Sequence, residues 1–191
     1  ETSMQTNTVV SIDKTKPLNK YDNAVISDLG DRKIAADTAK LYGVSVVKNN
    51  ATITHHLYSY RGSDGELIGR KIRGVEGKKF WSEGNLSDAG LFGQHLFPRK
   101  GKYVTVCEGE LDAMSAYEIL GSKWPVVSLK NGAGAAVKNC KESFDFLNMF
   151  DNIVLCFDND KEGREAAQKV GQLFEPNKCK IVHLAMKDAN E

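Results

Sequence analysis

The second half of the chain alternates short apolar runs with longer amphipathic segments. The apolar runs are typical of buried strands, and the segments between them have the three-to-four-residue spacing of helices. The predicted strands are 103–107, 125–129, 152–157 and 180–185, and the predicted helices are 111–120, 135–150 and 163–174. Continuously apolar strands separated by helices indicate an α/β fold, with a parallel sheet covered by helices on both faces.

The first half has a different pattern. A helix is predicted over 32–42, where Gly43 ends it, and strand-like runs follow at 43–47, 53–60 and 67–73. Ser63-Asp64-Gly65 indicates a turn, so 53–60 and 67–73 are predicted to form a hairpin. The sequence therefore predicts a polar tail or linker over 1–22, a smaller mixed α+β subdomain over 23–100, and the parallel-sheet domain over 101–191.

Composition excludes several classes of protein. With 191 residues, 41% hydrophobic and 27% charged, the chain is unlike collagen, a coiled coil or a disordered segment. No apolar run approaches the roughly 20 residues of a membrane-spanning helix, so no membrane partner is expected. The first residue is Glu1 rather than Met and the sequence stops abruptly at Glu191, so we expect a piece of a longer protein.

The four cysteines, Cys107, Cys140, Cys156 and Cys179, form no Cys-x-x-Cys pair. A structural zinc site needs clustered ligands and a secreted disulfide framework is denser. We therefore expect no zinc in this fragment, and a reducing, cytoplasmic compartment.

Charge is nearly balanced over the whole chain, at +1, but it is unevenly distributed. Residues 1–100 carry fifteen Lys/Arg against eleven Asp/Glu, whereas residues 101–191 carry eleven against fourteen. Between Arg70 and Lys79 there are five basic residues and a single acid, Glu76. On charge alone this window is more simply a solvated hairpin than an anion site.

Six carboxylates follow the predicted strands, and in a parallel sheet the residues after each strand meet at one edge. They are Glu108, Glu110, Asp112, Asp158, Asp160 and Asp188. So much like charge at one edge is unfavourable unless cations neutralise it, and oxygen ligands without His or Cys suit Mg²⁺ or Mn²⁺. The simpler alternative is that acids after strands cap the next helix or interact with its dipole.

The spacing of these acids resembles a known pair of motifs. Glu108-Gly109 with Asp112, then Asp158, Asp160, Gly163 and Ala166, fit the two motifs of the Toprim domain of bacterial-type primases and topoisomerases. Further similarity, to the primase part of the bifunctional primase–helicases of T-odd bacteriophages, lies in 91–96, 125–129, 131–133 and 187–191. One departure is Lys130-Asn131, where relatives tend to have Gly-His.

The resemblance implies a Toprim-type sheet and a DnaG-type RNA polymerase core. Such a core makes short RNA primers on a single-stranded DNA template from NTPs, with Mg²⁺ or Mn²⁺, in two ions, as cofactor. It implies catalytic roles for Glu108, Asp158 and Asp160. Asp158 and Asp160 are expected as principal metal ligands and Glu108 as a further ligand or a base, while Glu110, Asp112 and Asp188 are expected near the ions or on a further one.

The same resemblance implies nucleotide or template contacts by Lys71, Arg73, Lys78 and Lys79. Lys71 and Arg73 are two residues apart on a predicted strand, so their side chains should share a face. The adjacent pair Phe80 and Trp81 could stack on bases, although an aromatic pair beside a hairpin is more often part of a core.

Two alternatives stay open: a Toprim module of a replicative helicase that has lost catalysis, and a Toprim nuclease or topoisomerase fragment. In the full-length protein the resemblance implies a zinc-binding module and a hexameric helicase domain, and, for a phage protein, the host cytoplasm.

Overall fold

The computed structural model describes residues 21–191, which form two four-stranded sheets and five α-helices. The predicted tail, 1–22, lies outside the described residues except for Tyr21 and Asp22, which are in a turn. The strands are β1 (Val44–Asn49), β2 (Thr52–Arg61), β3 (Leu67–Gly74), β4 (Phe80–Gly84), β5 (Gly101–Cys107), β6 (Val126–Ser128), β7 (Phe150–Cys156) and β8 (Cys179–Ile181). The helices are α1 (Ala36–Tyr42), α2 (Glu110–Ile119), α3 (Ala136–Glu142), α4 (Phe144–Asn148) and α5 (Lys161–Gly171).

The first sheet is antiparallel in the order β1-β2-β3-β4, and it contains the predicted hairpin. Tyr58 of β2 lies opposite Lys71 of β3, and Arg73 lies opposite Phe80 of β4. The sequence did not predict β4, because its residues lack the apolar alternation of a half-buried strand. As an edge strand, it is stabilised mainly by its hydrogen bonds to β3.

The second sheet is parallel in the order β6-β5-β7-β8, which confirms the predicted α/β class. β5 and β7 are neighbours, and Cys107 lies directly opposite Cys156 at their carboxyl ends. The residues after these two strands, Glu108 and Asp158, are therefore brought to the same edge of the sheet.

Both faces of the parallel sheet are covered. On one face, Met114 of α2 packs in a core that also contains Cys107 and residues of α1 and of the antiparallel sheet. On the other face, α3, α4 and α5 pack over Val106 and Leu155. Because the first core includes residues from both sheets, the division at residue 100 stays a prediction.

The predicted helix 135–150 is wrong: α3 and α4 meet at Ser143, whose backbone is not helical, and Phe150 begins β7. Phe150 pairs with Gly101, which is 49 residues away and therefore outside any local pattern. The predicted strand 180–185 is shorter, ending at Ile181. Residues 21–191 contain no helix with the length and apolar character required to cross a membrane.

Candidate active site

Glu108 connects the ends of the two central parallel strands. Its Oε1 accepts a hydrogen bond from the backbone N–H of Ala133, at 3.2 Å, and its Oε2 accepts one from the backbone N–H of Asp158, at 3.3 Å. The carboxylate is thus held by the glycine-rich loop after β6, residues 130–134, and by the first residue of the Asp-x-Asp motif after β7, residues 158–160.

The Asp-x-Asp motif occupies the junction of β7 and α5. Asp160 is the N-cap of α5, and its Oδ1 accepts a hydrogen bond from the backbone N–H of Gly163, at 2.9 Å. A Cβ atom at Gly163 would collide with the carbonyl oxygen of Asp158, so the glycine of the motif is required by this close approach. The helix-capping interpretation therefore holds for Asp160, whose carboxylate nevertheless lies at the carboxyl-terminal edge of the sheet.

Burial and neighbouring carboxylates raise the pKa values of three acids at this edge. The pKa of Asp158 is raised to about 6, first by burial and then by Glu108, Asp188 and Asp160. Burial followed by Asp188 and Asp158 raises the pKa of Asp112 to about 8. Burial also raises the pKa of Glu108, although its two backbone hydrogen bonds oppose that effect. These shifts indicate a concentration of negative charge that a cation would relieve.

The donor set around this edge has the chemistry of a hard-cation site. Its side chains offer carboxylate oxygens, which Mg²⁺ and Mn²⁺ prefer, and water commonly completes the shell of a small divalent ion. As the side chains lie, residues 21–191 contain no group of three or more His, Cys, Asp or Glu arranged to hold a metal ion. The carboxylate chemistry thus suits a hard divalent ion, while the described side chains do not form a ready-made site for one.

Glu110, Asp112 and Asp188 have different surroundings. Glu110 is 5% exposed and faces the antiparallel sheet, where the Tyr60 hydroxyl donates to its Oε1 at 2.6 Å. Asp112 accepts a hydrogen bond from the backbone N–H of Gly109, at 3.1 Å. Asp188 accepts from two backbone N–H groups of the last turn of the chain. The structure therefore brings Asp112 and Asp188 towards Asp158 and directs Glu110 away from them.

Lys71 and Arg73 share one face of β3, as their spacing predicts. The Lys71 Nζ lies 5.2 Å, and the Arg73 guanidinium carbon 5.8 Å, from the ring centroid of Phe80. Lys71 also forms an ion pair with Glu110, at 2.9 Å. Lys78 and Lys79 are exposed in the turn that precedes β4.

The aromatic pair on β4 is divided between solvent and protein. Phe80 is 54% exposed, so the expectation that the pair belongs to a core is wrong for this residue. Trp81 is half-buried and packs edge-on against His55, with ring centroids 5.6 Å apart.

Lys130 is a buried cation that the motifs did not predict to have a structural role. Its Nζ donates to the carbonyl oxygen of Ala89, at 2.7 Å, and forms an ion pair with Glu142, at 3.0 Å. Its own carbonyl oxygen accepts from Lys71 Nζ, at 2.9 Å. The available signal was a lysine directly after an apolar strand.

Comparison with known proteins gives consistent matches. Residues 105–191 match a family model described as Toprim-like. The DNA helicase/primase of Enterobacteria phage T3 is 35% identical over 169 residues, which are 88% of this chain and 29% of that protein. The chain thus spans less than a third of the length of this relative.

Two solved structures of the bacteriophage T7 protein are similar over 88% of this chain. The primase fragment of the T7 primase–helicase has a TM-score of 0.80, 36% identity and 69% of its own chain covered. The other structure contains T7 primase domains bound to an RNA/DNA hybrid and dTTP, interacting with the lagging-strand DNA polymerase. It has a TM-score of 0.78, 35% identity and 84% of its chain covered. These matches confirm the resemblance seen in the motifs.

Proposed function

Because this chain belongs to the family of Toprim primases found in phage primase–helicases, we propose that it is the RNA polymerase core of a DNA primase. It synthesises short RNA primers on single-stranded DNA, joining the 3′-hydroxyl of one nucleotide to the α-phosphorus of the next and releasing pyrophosphate. We assign this reaction to the present chain and name below the residues that carry it.

The observation that carries the proposal is the hydrogen bond between the carboxylate of Glu108 and the backbone N–H of Asp158. It holds the first acidic motif against the second, at the sheet edge where α/β enzymes form their sites. Both residues follow central strands, so their backbones are fixed by the sheet before any substrate binds.

Asp158 and Asp160 are the residues that would hold a divalent metal ion. Asp188 is close enough to raise the pKa of Asp158, and both Asp188 and Asp158 raise the pKa of Asp112. Bound there, Mg²⁺ or Mn²⁺ supplies electrostatic stabilisation of the charge that develops on the phosphate oxygens. The number of ions is proposed from the family pattern as two.

Glu108 accepts the proton of the attacking 3′-hydroxyl in this proposal. A carboxylate whose pKa is raised is a better proton acceptor, and burial raises the pKa of Glu108. Its two backbone hydrogen bonds use one lone pair on each oxygen and leave others available. They also fix the orientation of the carboxylate before the reaction.

Lys71, Arg73, Lys78 and Lys79 provide the positive charge for phosphate groups of the nucleotide and template. Lys71 and Arg73 lie on the side of β3 that faces the catalytic domain, and the two others are exposed at its end. In the full-length protein we propose a helicase domain as a partner, in line with the helicase/primase name of the T3 relative. The hexameric state of that domain and a zinc-binding module are proposed from the motif resemblance alone.

The test is a primer-synthesis assay with this chain. Labelled NTPs, a single-stranded DNA template and MgCl₂ or MnCl₂ are incubated with the protein, and products of two or more nucleotides are resolved on a gel. Asp158→Asn should reduce product by about 10²-fold or more. Asp160→Asn should do the same while keeping the helix cap, because Asn also caps helices.

The matched control is Asp151→Asn, since Asp151 is exposed near the opposite end of β7. Wild-type yields from both Asp158→Asn and Asp160→Asn would contradict the assignment. Metal-dependent nicking of plasmid without nucleotides would favour the nuclease or topoisomerase alternative. A folded wild-type chain that forms no product with either metal would favour a Toprim module without catalysis.

A further inference from the structure

Phe80 is an exposed aromatic side chain at the start of an edge strand. Its ring points to the same side of the antiparallel sheet as Arg73, its opposite neighbour on β3. Most of that side is buried, but β4 extends beyond the covered area and leaves Phe80 54% exposed. A single exposed aromatic residue is common in soluble proteins, so exposure alone does not indicate a site.

The cations around Phe80 make its surroundings unusual. Lys71 Nζ and the Arg73 guanidinium both lie within 6 Å of the ring centroid, at 5.2 and 5.8 Å. These two positive groups make cation–π contacts with the Phe80 ring, and their charge attracts anions to its edge. More than half of the Phe80 side chain nevertheless remains open to solvent.

Arg73 has an unused donor at this position. The residue is only 8% exposed, and it lies close enough to the Tyr58 hydroxyl to oppose the rise that burial causes in the pKa of Tyr58. Among the described residues, however, nothing accepts a hydrogen bond from its Nε. A buried donor without an acceptor is unfavourable. Because this Nε is itself covered, an anionic group bound beside β3 would reach it only if the Arg73 side chain shifted, a movement that the gain of an acceptor would favour.

The ring is connected to the candidate active site through Lys71. Lys71 Nζ donates to the carbonyl oxygen of Lys130, and three residues later the backbone N–H of Ala133 donates to Glu108. Phe80 is thus separated from the Glu108 carboxylate by one lysine side chain and a four-residue loop. An aromatic face, two cations and a carboxylate site in this order match the parts of a nucleotide: base, phosphate and reacting centre.

We propose that Phe80 is the stacking platform for a nucleobase, with Lys71 and Arg73 binding the phosphate attached to it. This rests on the proposed function and deepens it by assigning base recognition to β4. Stacking on a phenyl ring uses the π-face that every base has, so the platform binds all four bases without reading sequence. The base belongs to an incoming NTP or to the DNA template, and both sources present the same chemistry.

The test measures binding rather than catalysis, by calorimetric titration of the whole chain in MgCl₂. In one arm the probes are ATP and ribose 5-triphosphate, which lacks the base; in the other they are oligothymidylate and an abasic oligomer of equal length. Phe80→Ala should weaken binding of a base-containing probe by about tenfold or more, and leave binding of its base-free counterpart unchanged. Phe80→Trp should restore that affinity.

The arm that responds identifies the source of the base. The matched control is Trp124→Ala, because Trp124 is similarly exposed, at 41%, but precedes β6 at the opposite end of the parallel sheet. Binding of both base-containing probes within twofold of wild type in Phe80→Ala would overturn the proposal. Because no reaction is needed, an inactive wild-type chain that still shows the effect would contradict only the proposed function.

Discussion

The Lys71 ammonium group and the Glu110 carboxylate form an ion pair at 2.9 Å, which joins the antiparallel sheet to the first residue of α2. Glu110 is 5% exposed and also accepts from the Tyr60 hydroxyl, while Lys71 donates to the carbonyl oxygen of Lys130. One lysine therefore fastens three segments: β3, the start of α2 and the loop after β6. The residue expected to contact nucleotide and the residue expected to bind metal are partners of each other.

The first prediction concerns the stability that this pair provides. Lys71→Met should lower the free energy of unfolding by about 2–3 kcal/mol, because it leaves the buried Glu110 carboxylate without its cation. Adding Glu110→Gln should recover most of this loss, since the remaining group is neutral and still accepts from Tyr60. Urea unfolding of both single variants and the double variant measures the coupling free energy.

Lys138→Met is the control for that cycle, because the Lys138–Glu142 pair is exposed and 3.9 Å long. Such a pair is worth about 0.5 kcal/mol or less. If the double variant lost the sum of the two single losses, the pair would have no coupling and this account of the joint would be wrong.

The second prediction is that Asp158→Asn stabilises the metal-free protein while it removes activity. The pKa of Asp158 is raised to about 6, first by burial and then by neighbouring carboxylates, so its charged form is unfavourable at pH 7. Replacing it with a neutral side chain in EDTA should raise the free energy of unfolding by about 1 kcal/mol, after allowance for solvent screening. If Asp158→Asn were destabilised, Asp158 would support the fold and this prediction would be wrong. The control is Asp151→Asn, which should leave the free energy of unfolding unchanged.

The third prediction is a pH dependence due to Asp112. Its pKa rises from 3.8 to about 8 on folding, mainly through burial. A carboxyl with a raised folded pKa contributes stability below pH 3.8, and this contribution is lost as the pH rises towards 8. In EDTA, Asp112→Asn should therefore gain stability relative to wild type between pH 5 and pH 8, by about 2 kcal/mol or more.

Asn at position 112 keeps an acceptor for the backbone N–H of Gly109, so the start of α2 should be preserved. The measurement is urea unfolding of the two proteins at several pH values. Only their difference is interpreted, because titrating groups outside this acidic edge contribute equally to both, whereas Asp158 and Asp188 interact with Asp112 and are part of the effect. A difference that stays constant with pH would contradict the raised pKa.

Sequence patterns predicted the parallel sheet because its strands are continuously apolar and its helices are amphipathic. The position of Glu108 beside Asp158 also follows from pattern, since both residues end central strands of one sheet. The surroundings of Glu110 could not be predicted from the sequence pattern. The orientation of its side chain depends on Tyr60 and Lys71, which are 50 and 39 residues away in the chain. A local pattern shows that a carboxylate follows a strand. It does not show which residues that carboxylate contacts once the next helix has packed.

The break between α3 and α4 was unpredictable for a related reason. Phe144, Phe146, Leu147 and Phe150 continue a spacing that one helix could accommodate. What ends α3 is the combination of the non-helical backbone at Ser143 and the pairing of Phe150 with Gly101. The pairing of Phe150 depends on β5, which lies far earlier in the chain.

The last prediction concerns Lys130, the buried cation beside the candidate site. Its Nζ has the carbonyl oxygens of Leu86, Ser87 and Ala89 as acceptors, at 3.4, 3.4 and 2.7 Å, and pairs with Glu142. Lys130→Met fills a similar volume without the charge, so these carbonyl groups lose a shared donor. We expect a loss of about 2–3 kcal/mol in the free energy of unfolding.

Lys130→Met should first open the loop of residues 86–89 and only then affect the whole fold, because Lys130 Nζ holds that loop against the end of β6 and against α3. Limited proteolysis and hydrogen exchange of Lys130→Met should show faster opening of 86–89, while β5 and β7 keep their protection. Glu142→Gln is the matched control: Glu142 is 37% exposed at its side chain, so the variant leaves the carbonyl contacts of Lys130 in place and should open the loop much less. Equal opening of the loop in the two variants would assign the effect to the ion pair rather than to the carbonyl groups. Unchanged protection of 86–89 in Lys130→Met would show that the lysine does not hold the loop.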